Sequence, residues 1–305
     1  MYKRNFTKEL QEKAKKKLHE TQKRREDDVK HIKDWLLKQP HLNARTDEQW
    51  ITNFLRGCKF STQKAKEKLE YLYTTKPLAP EFFSRRDPLL PEMQEILNRN
   101  IFLPYASPND EVLIVRWRNV DANKVSILNL FKVAFMILDI SVSDSDTILI
   151  TGVHIVVDLK GFPMASIKEM TPAFFKKLAY IICKGYALRL NGIYFINCFP
   201  YFQTIFNMFK TFLNKKIKSK IKFYYDNEES SFLKDIPNDV LPLEYGGTGD
   251  SIVEIGPRWK SIIERFRNWL IDDERYKCDE TYRLNNRISS DMFGMEGSFR
   301  QLELD

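Results

Sequence analysis

Apolar residues in the first ninety positions recur at helical spacing. Val29, Ile32, Trp35 and Leu36 fall on one face of a segment that ends before Pro40. Thr46 followed by Gln49 is a capping-box pattern, which predicts a second helix carrying Trp50, Ile51, Phe54 and Leu55 and stopping near Gly57. A third helix is predicted from about Thr62 to Tyr73, with Ala65, Leu69 and Leu72 inward, before the breakers Pro77 and Pro80. Residues 1–90 therefore read as a small helical domain.

From about Pro91 the period changes. β-Branched runs predict strands at Glu111 to Trp117, Gly152 to Asp158, Gly192 to Asn197 and, more briefly, Lys222 to Tyr225. Between them, helices are predicted at Lys124 to Asp139, Pro172 to Lys184 and Tyr201 to Leu213. This alternation predicts an α/β layer with mostly parallel strands over residues 91–250. In the second strand Val153, Ile155 and Val157 oppose His154, Val156 and Asp158; in the third, Ile193 and Phe195 oppose Tyr194 and Ile196. Both faces are largely apolar, so both must be covered. Residues 251–305 hold a further helix from Pro257 to about Ile271, with Trp259, Ile262, Ile263, Phe266 and Leu270 at helical spacing. A polar tail, extended or wrapped over the body, is expected from about Asp279.

Charge sharpens one part of this pattern. The chain of 305 residues carries a net charge of +8, and six lysines with no acid lie between Lys210 and Lys222. They sit among Phe209, Phe212, Leu213, Ile217 and Ile221, directly after Phe199, Tyr201, Phe202, Ile205 and Phe206. On a helical wheel Phe202, Ile205, Phe206, Phe209, Phe212 and Leu213 share a stripe that also holds Lys216 and Lys220. One straight helix would aim those charges at whatever the aromatics bury, so a bend is expected near Asn214, with lysines at the rim of an apolar lid. Such a segment suits an anionic membrane surface; the plain alternative is a surface helix with solvated lysines. Charge alone leaves nucleic acid open, but no zinc-finger spacing, basic zipper or aromatic RNA-binding strand signature is present, and no nucleic-acid partner is expected.

Met1 to Lys17 is charged throughout and lacks the apolar core of a signal peptide. The richest apolar run, Ile127 to Val142, is interrupted by Lys132 and Asp139 and is shorter than a bilayer span. Cys58, Cys183, Cys198 and Cys278 form no CxxC pair, which fits reduced thiols in a cytoplasmic protein. Catalytic chemistry finds little support. His154 is a lone strand histidine, a residue type more often hydrogen-bonded in a core than acting as a base. Asp158, Lys160 and Gly161 end a strand, where a turn with a surface ion pair is the simpler reading than an active site. Gly246-Gly247-Thr248-Gly249 lacks dinucleotide spacing, and no His or Cys spacing suggests a metal. No enzyme, cofactor or metal is expected.

Four segments resemble the CRAL-TRIO lipid-binding family, in its tocopherol-transfer and retinaldehyde-binding branch. Phe54-Leu55-Arg56-Gly57-Cys58-Lys59-Phe60 is similar to the FLRARKF signature. Asp158-Leu159-Lys160-Gly161 resembles the strand-ending D-[LM]-x-G. Gly192-Ile193-Tyr194-Phe195-Ile196-Asn197 and the segment after it resemble the G-I-x-x-I-N strand and KPFL-type helix, with Thr211 in place of the proline. Leu241-Pro242-Leu243-Glu244-Tyr245-Gly246-Gly247 matches LPxEYGG.

The resemblance implies a helical N-terminal domain, then a sheet flooring an apolar cavity closed by a mobile helix, here within Cys198 to Ile221. By family position the cavity would be lined by Phe131, Ala134, Phe135, Leu138, Ile155, Val157, Leu178, Ile181, Ile182, Leu188, Leu190 and Ile193, each of which reads equally as plain core. Lid residues would be Phe202, Ile205, Phe206, Phe209 and Leu213. A phosphoinositide-binding patch would fall on Arg189, Asn191, Lys216 and Lys220. Asn191 departs from its basic character, and Lys215 or Lys218 would compensate. The implied function is a monomeric, cytoplasmic carrier of a retinoid, tocopherol or carotenoid that visits anionic membranes. The rival is a membrane-recruited adaptor or exchanger holding a phospholipid.

Overall fold

The computed structural model describes residues 7–107, 110–118, 120, 124–225 and 229–283. Its N-terminal part is helical: α1 (Lys8–Leu18), α2 (Gln22–Leu36), α3 (Glu48–Gly57), α4 (Thr62–Leu78), α5 (Pro80–Phe83) and α6 (Pro91–Asn98). Thr7, Thr21 and Ser61 cap α1, α2 and α4 by accepting from backbone N–H groups of the first turn. The expected stop before Pro77 is not observed, because α4 runs on to Leu78 with Pro77 in its last turn. Proline has no N–H to give the Tyr73 carbonyl. That carbonyl instead accepts from Cys278 N–H at 2.9 Å, so the C-terminal segment completes the helix.

Five strands form one sheet in sequence order: β1 (Phe102–Ala106), β2 (Glu111–Arg116), β3 (Val153–Asp158), β4 (Leu190–Cys198) and β5 (Ile221–Tyr225). β1 pairs antiparallel with β2, and the other pairings are parallel. The α/β class and the largely parallel sheet agree with the hydrophobic pattern. β1 is the strand the pattern missed. It contains Pro104, which an edge strand tolerates and a central one would not.

Helices α7 (Ile127–Asp144), α8 (Ile148–Thr151), α9 (Pro172–Tyr180), α10 (Phe202–Lys210) and α11 (Lys215–Lys218) lie between the strands, and α12 (Glu229–Phe232), α13 (Ile252–Arg265) and α14 (Arg267–Asp273) follow β5. One face of the sheet packs Val112, Ile114, Val156, Tyr194 and Ile196 beneath Phe232, Ile236, Val240, Leu241, Ile252 and Ile255. The other face turns toward α7, α9 and α10.

Charged groups lock the parts together. Arg56, fully buried, gives Nε and Nη2 to Glu20 at 2.9 and 2.8 Å and Nη1 to Asp146 at 2.8 Å, joining α3 to the start of α2 and the end of α7. Gly57 next to it is obligatory, since a Cβ there would sit 1.8 Å from the Ala187 carbonyl oxygen. Asp273, at the end of α14, accepts from Arg45 at 2.8 Å, Lys76 at 2.7 Å and Arg86 at 3.1 Å. Burial disfavours its charge, but Lys76 and Arg86 prevail and hold the carboxyl at about 2. Arg86 also donates to Asp139 at 2.6 Å, and the second Asp139 oxygen takes the Tyr186 hydroxyl at 2.6 Å. Asp139, which interrupts the apolar run of α7 in sequence, thus anchors that helix from within. The segment 279–283 lies against the body, with Arg283 paired to Glu70; the rest of the expected polar tail falls outside the described residues.

Candidate functional site

The sheet face opposite the packed core borders a cavity of about 360 Å³. Leu113 and Val115 on β2, Ile155 and Val157 on β3, and Ile193 and Phe195 on β4 form its floor, as the two-residue period requires. α7 supplies Phe131, Ala134, Phe135 and Leu138 at three- and four-residue spacing, α9 supplies Leu178, and Ile182, Leu188 and Leu190 close one side. Eleven of the twelve cavity positions expected from the sequence thus come together.

Ile181 does not join them. It is fully buried and absent from the lining. The expected helix over 172–184 changes at Ile181 into a wide π turn, closed by Tyr186 N–H to the Ile181 carbonyl at 3.1 Å. That turn shifts the wheel phase, and its Gly185 lies against Leu72 of α4.

The roof is α10. Phe202, Ile205, Phe206, Phe209 and Leu213 all line the cavity. Phe202 and Phe206 each set their ring centroids 5.0 Å from Phe195 on the floor, and Phe209 lies 5.3 Å from Phe175 on α9. The chain bends where charge placement requires. α10 ends at Lys210, and Asn214 caps α11 by accepting from Ile217 N–H at 2.9 Å. Because helix geometry is lost between 210 and 215, Phe212 leaves the stripe on which the wheel puts it. It faces solvent at 38% exposure, beside Met208 at 43% and Tyr201 at 73% on the same segment. The lid therefore has aromatic groups on its inner side and further apolar groups on its outer side.

Basic groups gather at the rim. Burial, then the nearby charges of Lys216 and Arg189, push the Lys220 ammonium below its ordinary range. Its Nζ donates to the Leu190 carbonyl. Arg189 Nη1 donates to the Leu149 and Ile150 carbonyls, each at 3.0 Å. Lys216 is exposed and Lys218 half-buried. Lys68 on α4, lowered chiefly by burial and further by the charges of Lys216 and Lys184, joins this group from the helical domain, which sequence spacing gave no means of seeing. Asn191 is turned inward, toward Asp110 at 3.4 Å and the Thr151 carbonyl at 3.3 Å. Lys222 is paired with Asp235 on the far side of the sheet.

Asp158 is fully buried, so the surface ion pair expected there with Lys160 is not what the structure shows. Its carboxylate accepts from Tyr245 Oη at 2.8 Å, Asn197 Nδ2 at 2.7 Å and Lys160 N–H at 3.0 Å. Three of the sequence motifs meet in this one carboxylate. His154 lies on the packed face, its Nδ1 3.2 Å from Tyr194 Oη and its Nε2 3.8 Å from Asp110; burial lowers its pKa more than Asp110 raises it. Among the described residues no three His, Cys, Asp or Glu side chains are placed to hold a metal ion, and no helix is long and apolar enough to cross a membrane.

Residues 102–247 match the CRAL/TRIO domain model. This part of the chain is a CRAL-TRIO domain. That family is one of lipid-binding transfer proteins. Residues 21–93 match a second model, described as "Pinta-like, UBA domain". The chain is 27% identical over 263 residues to alpha-tocopherol transfer protein-like of Mus musculus, covering 85% of this chain and 75% of that protein. It is 24% identical to clavesin-1 of Xenopus laevis, covering 78% and 72%. The crystal structure of Sfh5 aligns with 78% of this chain and 98% of its own at 15% identity and a TM-score of 0.45. The sequence pattern did not reveal the lining from β2, Leu113 and Val115, nor that from α13 beyond the domain, Trp259 and Ile262. The parity that links Leu113 and Val115 to Ile155 and Val157 was the available signal. It also missed the polar end of the cavity, where Glu111, Ser141, Asp144, Ser145 and Thr147 line the wall. Ser141 and Asp144 continue the α7 stripe of Phe131, Ala134 and Leu138 at three- and four-residue steps.

Proposed function

We propose that the chain is an intracellular carrier that holds one small lipophile, of the retinoid, tocopherol or carotenoid class, beneath α10 and exchanges it at anionic membranes. The observation that carries this reading is the largely apolar cavity of about 360 Å³ roofed by aromatic side chains of α10. Its size lies near the lower end of the roughly 300–1,000 Å³ typical of small-molecule sites, which suits a single-chain lipophile better than a two-chain phospholipid. Burying about 400 Å² of ligand hydrocarbon offers on the order of 10 kcal/mol before association costs, enough for retention in water. Release then requires the lid to move. Membrane contact is assigned to the outer lid residues Tyr201, Met208 and Phe212 together with Lys216, Lys218, Lys220 and Arg189, where apolar and basic groups lie side by side. With Asn191 turned inward, phosphoinositide headgroups would be read by the lysines. The division into a helical domain over 1–90, a lipid-binding domain over 91–250 and a C-terminal segment over 251–305 belongs to the same proposal.

The test is solvent extraction of protein purified from eukaryotic cells, followed by mass spectrometry. An isoprenoid-type molecule at close to one per chain is expected. A diacyl phospholipid in its place would contradict the carrier reading and support the adaptor or exchanger.

A further inference from the structure

Ser219 is the one serine between Lys210 and Lys222, a stretch that holds no acid, and Lys215, Lys216, Lys218 and Lys220 surround it in sequence. It is the C-cap of α11 and is exposed, with Oγ donating to the Lys216 carbonyl at 3.0 Å. Its lysine neighbours belong to the rim cations, since the charges of Lys216 and Arg189 both act on Lys220. α11 is a single turn that buries no residue completely, closed by Lys218 N–H to the Asn214 carbonyl at 3.0 Å and Ser219 N–H to the Lys215 carbonyl at 3.1 Å. So short a helix opens at little cost, which lets 214–220 be drawn out into the extended form that a kinase grips.

Resting on the membrane contact assigned above, we propose that Ser219 is a phosphorylation site for a serine/threonine kinase with an acidic substrate groove, and that its phosphate releases the chain from anionic membranes. A serine ringed by lysines complements such a groove in charge. Ser219 Oγ attacks the γ-phosphorus of ATP, the bond from that phosphorus to the ADP oxygen breaks, and the hydroxyl proton passes to the kinase's base. Phosphoserine carries about two negative charges at neutral pH and three strong acceptor oxygens. The esterified Oγ has no hydrogen left for the Lys216 carbonyl, so the turn loses its cap. The new phosphate then takes Lys216 and Lys220 as partners in place of lipid phosphate, and it repels the anionic surface that the lysines attract.

The full chain is treated with ATP and the catalytic domain of protein kinase C, the modified residues are located by mass spectrometry, and sedimentation with phosphatidylserine vesicles is compared before and after treatment at physiological salt. Ser219 is expected to carry phosphate, and the phosphorylated chain to bind the vesicles at least about fivefold more weakly than the untreated chain, with binding restored by a phosphatase. The Ser219→Ala variant, treated in the same way, is expected to bind as its untreated form does. Ser219 left unmodified, unchanged sedimentation of the phosphorylated chain, or an equal loss in the treated Ser219→Ala variant would each overturn the switch and leave the membrane contact standing. Failure of the untreated chain to bind the vesicles would take down the membrane contact and the switch with it.

Discussion

On β3, Val156 points into a packed layer beneath Leu241 and Ile255, while Ile155 and Val157, one residue to either side, border open space under the lid. The same contrast repeats on β2 between Ile114 and its neighbours Leu113 and Val115, and on β4 between Tyr194 and the pair Ile193 and Phe195. Composition barely distinguishes the two faces. What differs is the cover: on one side the segment after β5 and α13 fills the layer, and on the other a short aromatic helix spans a gap without filling it. An apolar sheet face left unfilled under a roof is costly unless something occupies it, because its side chains have lost water without gaining close-packed neighbours.

The largest expected effect breaks this contrast directly. Ile114→Ala removes atoms from a full layer and should cost about 2–5 kcal/mol in chemical denaturation of the ligand-free protein. Ile155→Ala, on the neighbouring strand but facing the cavity, enlarges a space already present and should cost about 1 kcal/mol or less. Equal losses from the two would mean that both faces are filled. A smaller effect sharpens the account at the rim. Each lysine near an anionic surface contributes about 1 kcal/mol, so replacing both Lys216 and Lys220 with Ala should weaken sedimentation with phosphatidylserine vesicles several-fold at physiological salt. The parental difference should shrink as salt is raised. Partitioning that ignores both changes would place membrane contact elsewhere.

Much of this contrast is visible in the chain. Alternation along 153–158 and 192–197 fixes which residues share a face, and the position of Lys216 and Lys220 on an aromatic stripe requires the bend that Asn214 provides. Other features are invisible for physical reasons. Period alone does not say which of two apolar faces will be filled, since that depends on how far a distant segment such as 232–255 reaches. β1 is concealed by Pro104, and the π turn at Ile181 shifts the phase of a helix whose sequence carries no breaker before Gly185. The hydrogen bond from Thr147, just past α7, to Glu111 at the start of β2 spans 36 residues, a meeting that only the folded chain reveals. The buried partners of Asp139 are likewise spread from Arg86 to Tyr186, so in sequence its charge looks like an interruption rather than an anchor.

The central proposal is that α10 is a gate over a ligand cavity rather than scaffolding. Its most direct test is the rate at which a fluorescent lipophile moves from protein to anionic vesicles, normalised to folded protein, in Phe206→Ala and Phe209→Ala variants that keep a cooperative melt. Both rings line the cavity, with centroids 5.0 Å from Phe195 and 5.3 Å from Phe175 respectively. If the lid gates exchange, truncating either ring weakens closure, so ligand retention falls and the transfer rate departs from that of the parent. Transfer at the parental rate in both folded variants would contradict the account.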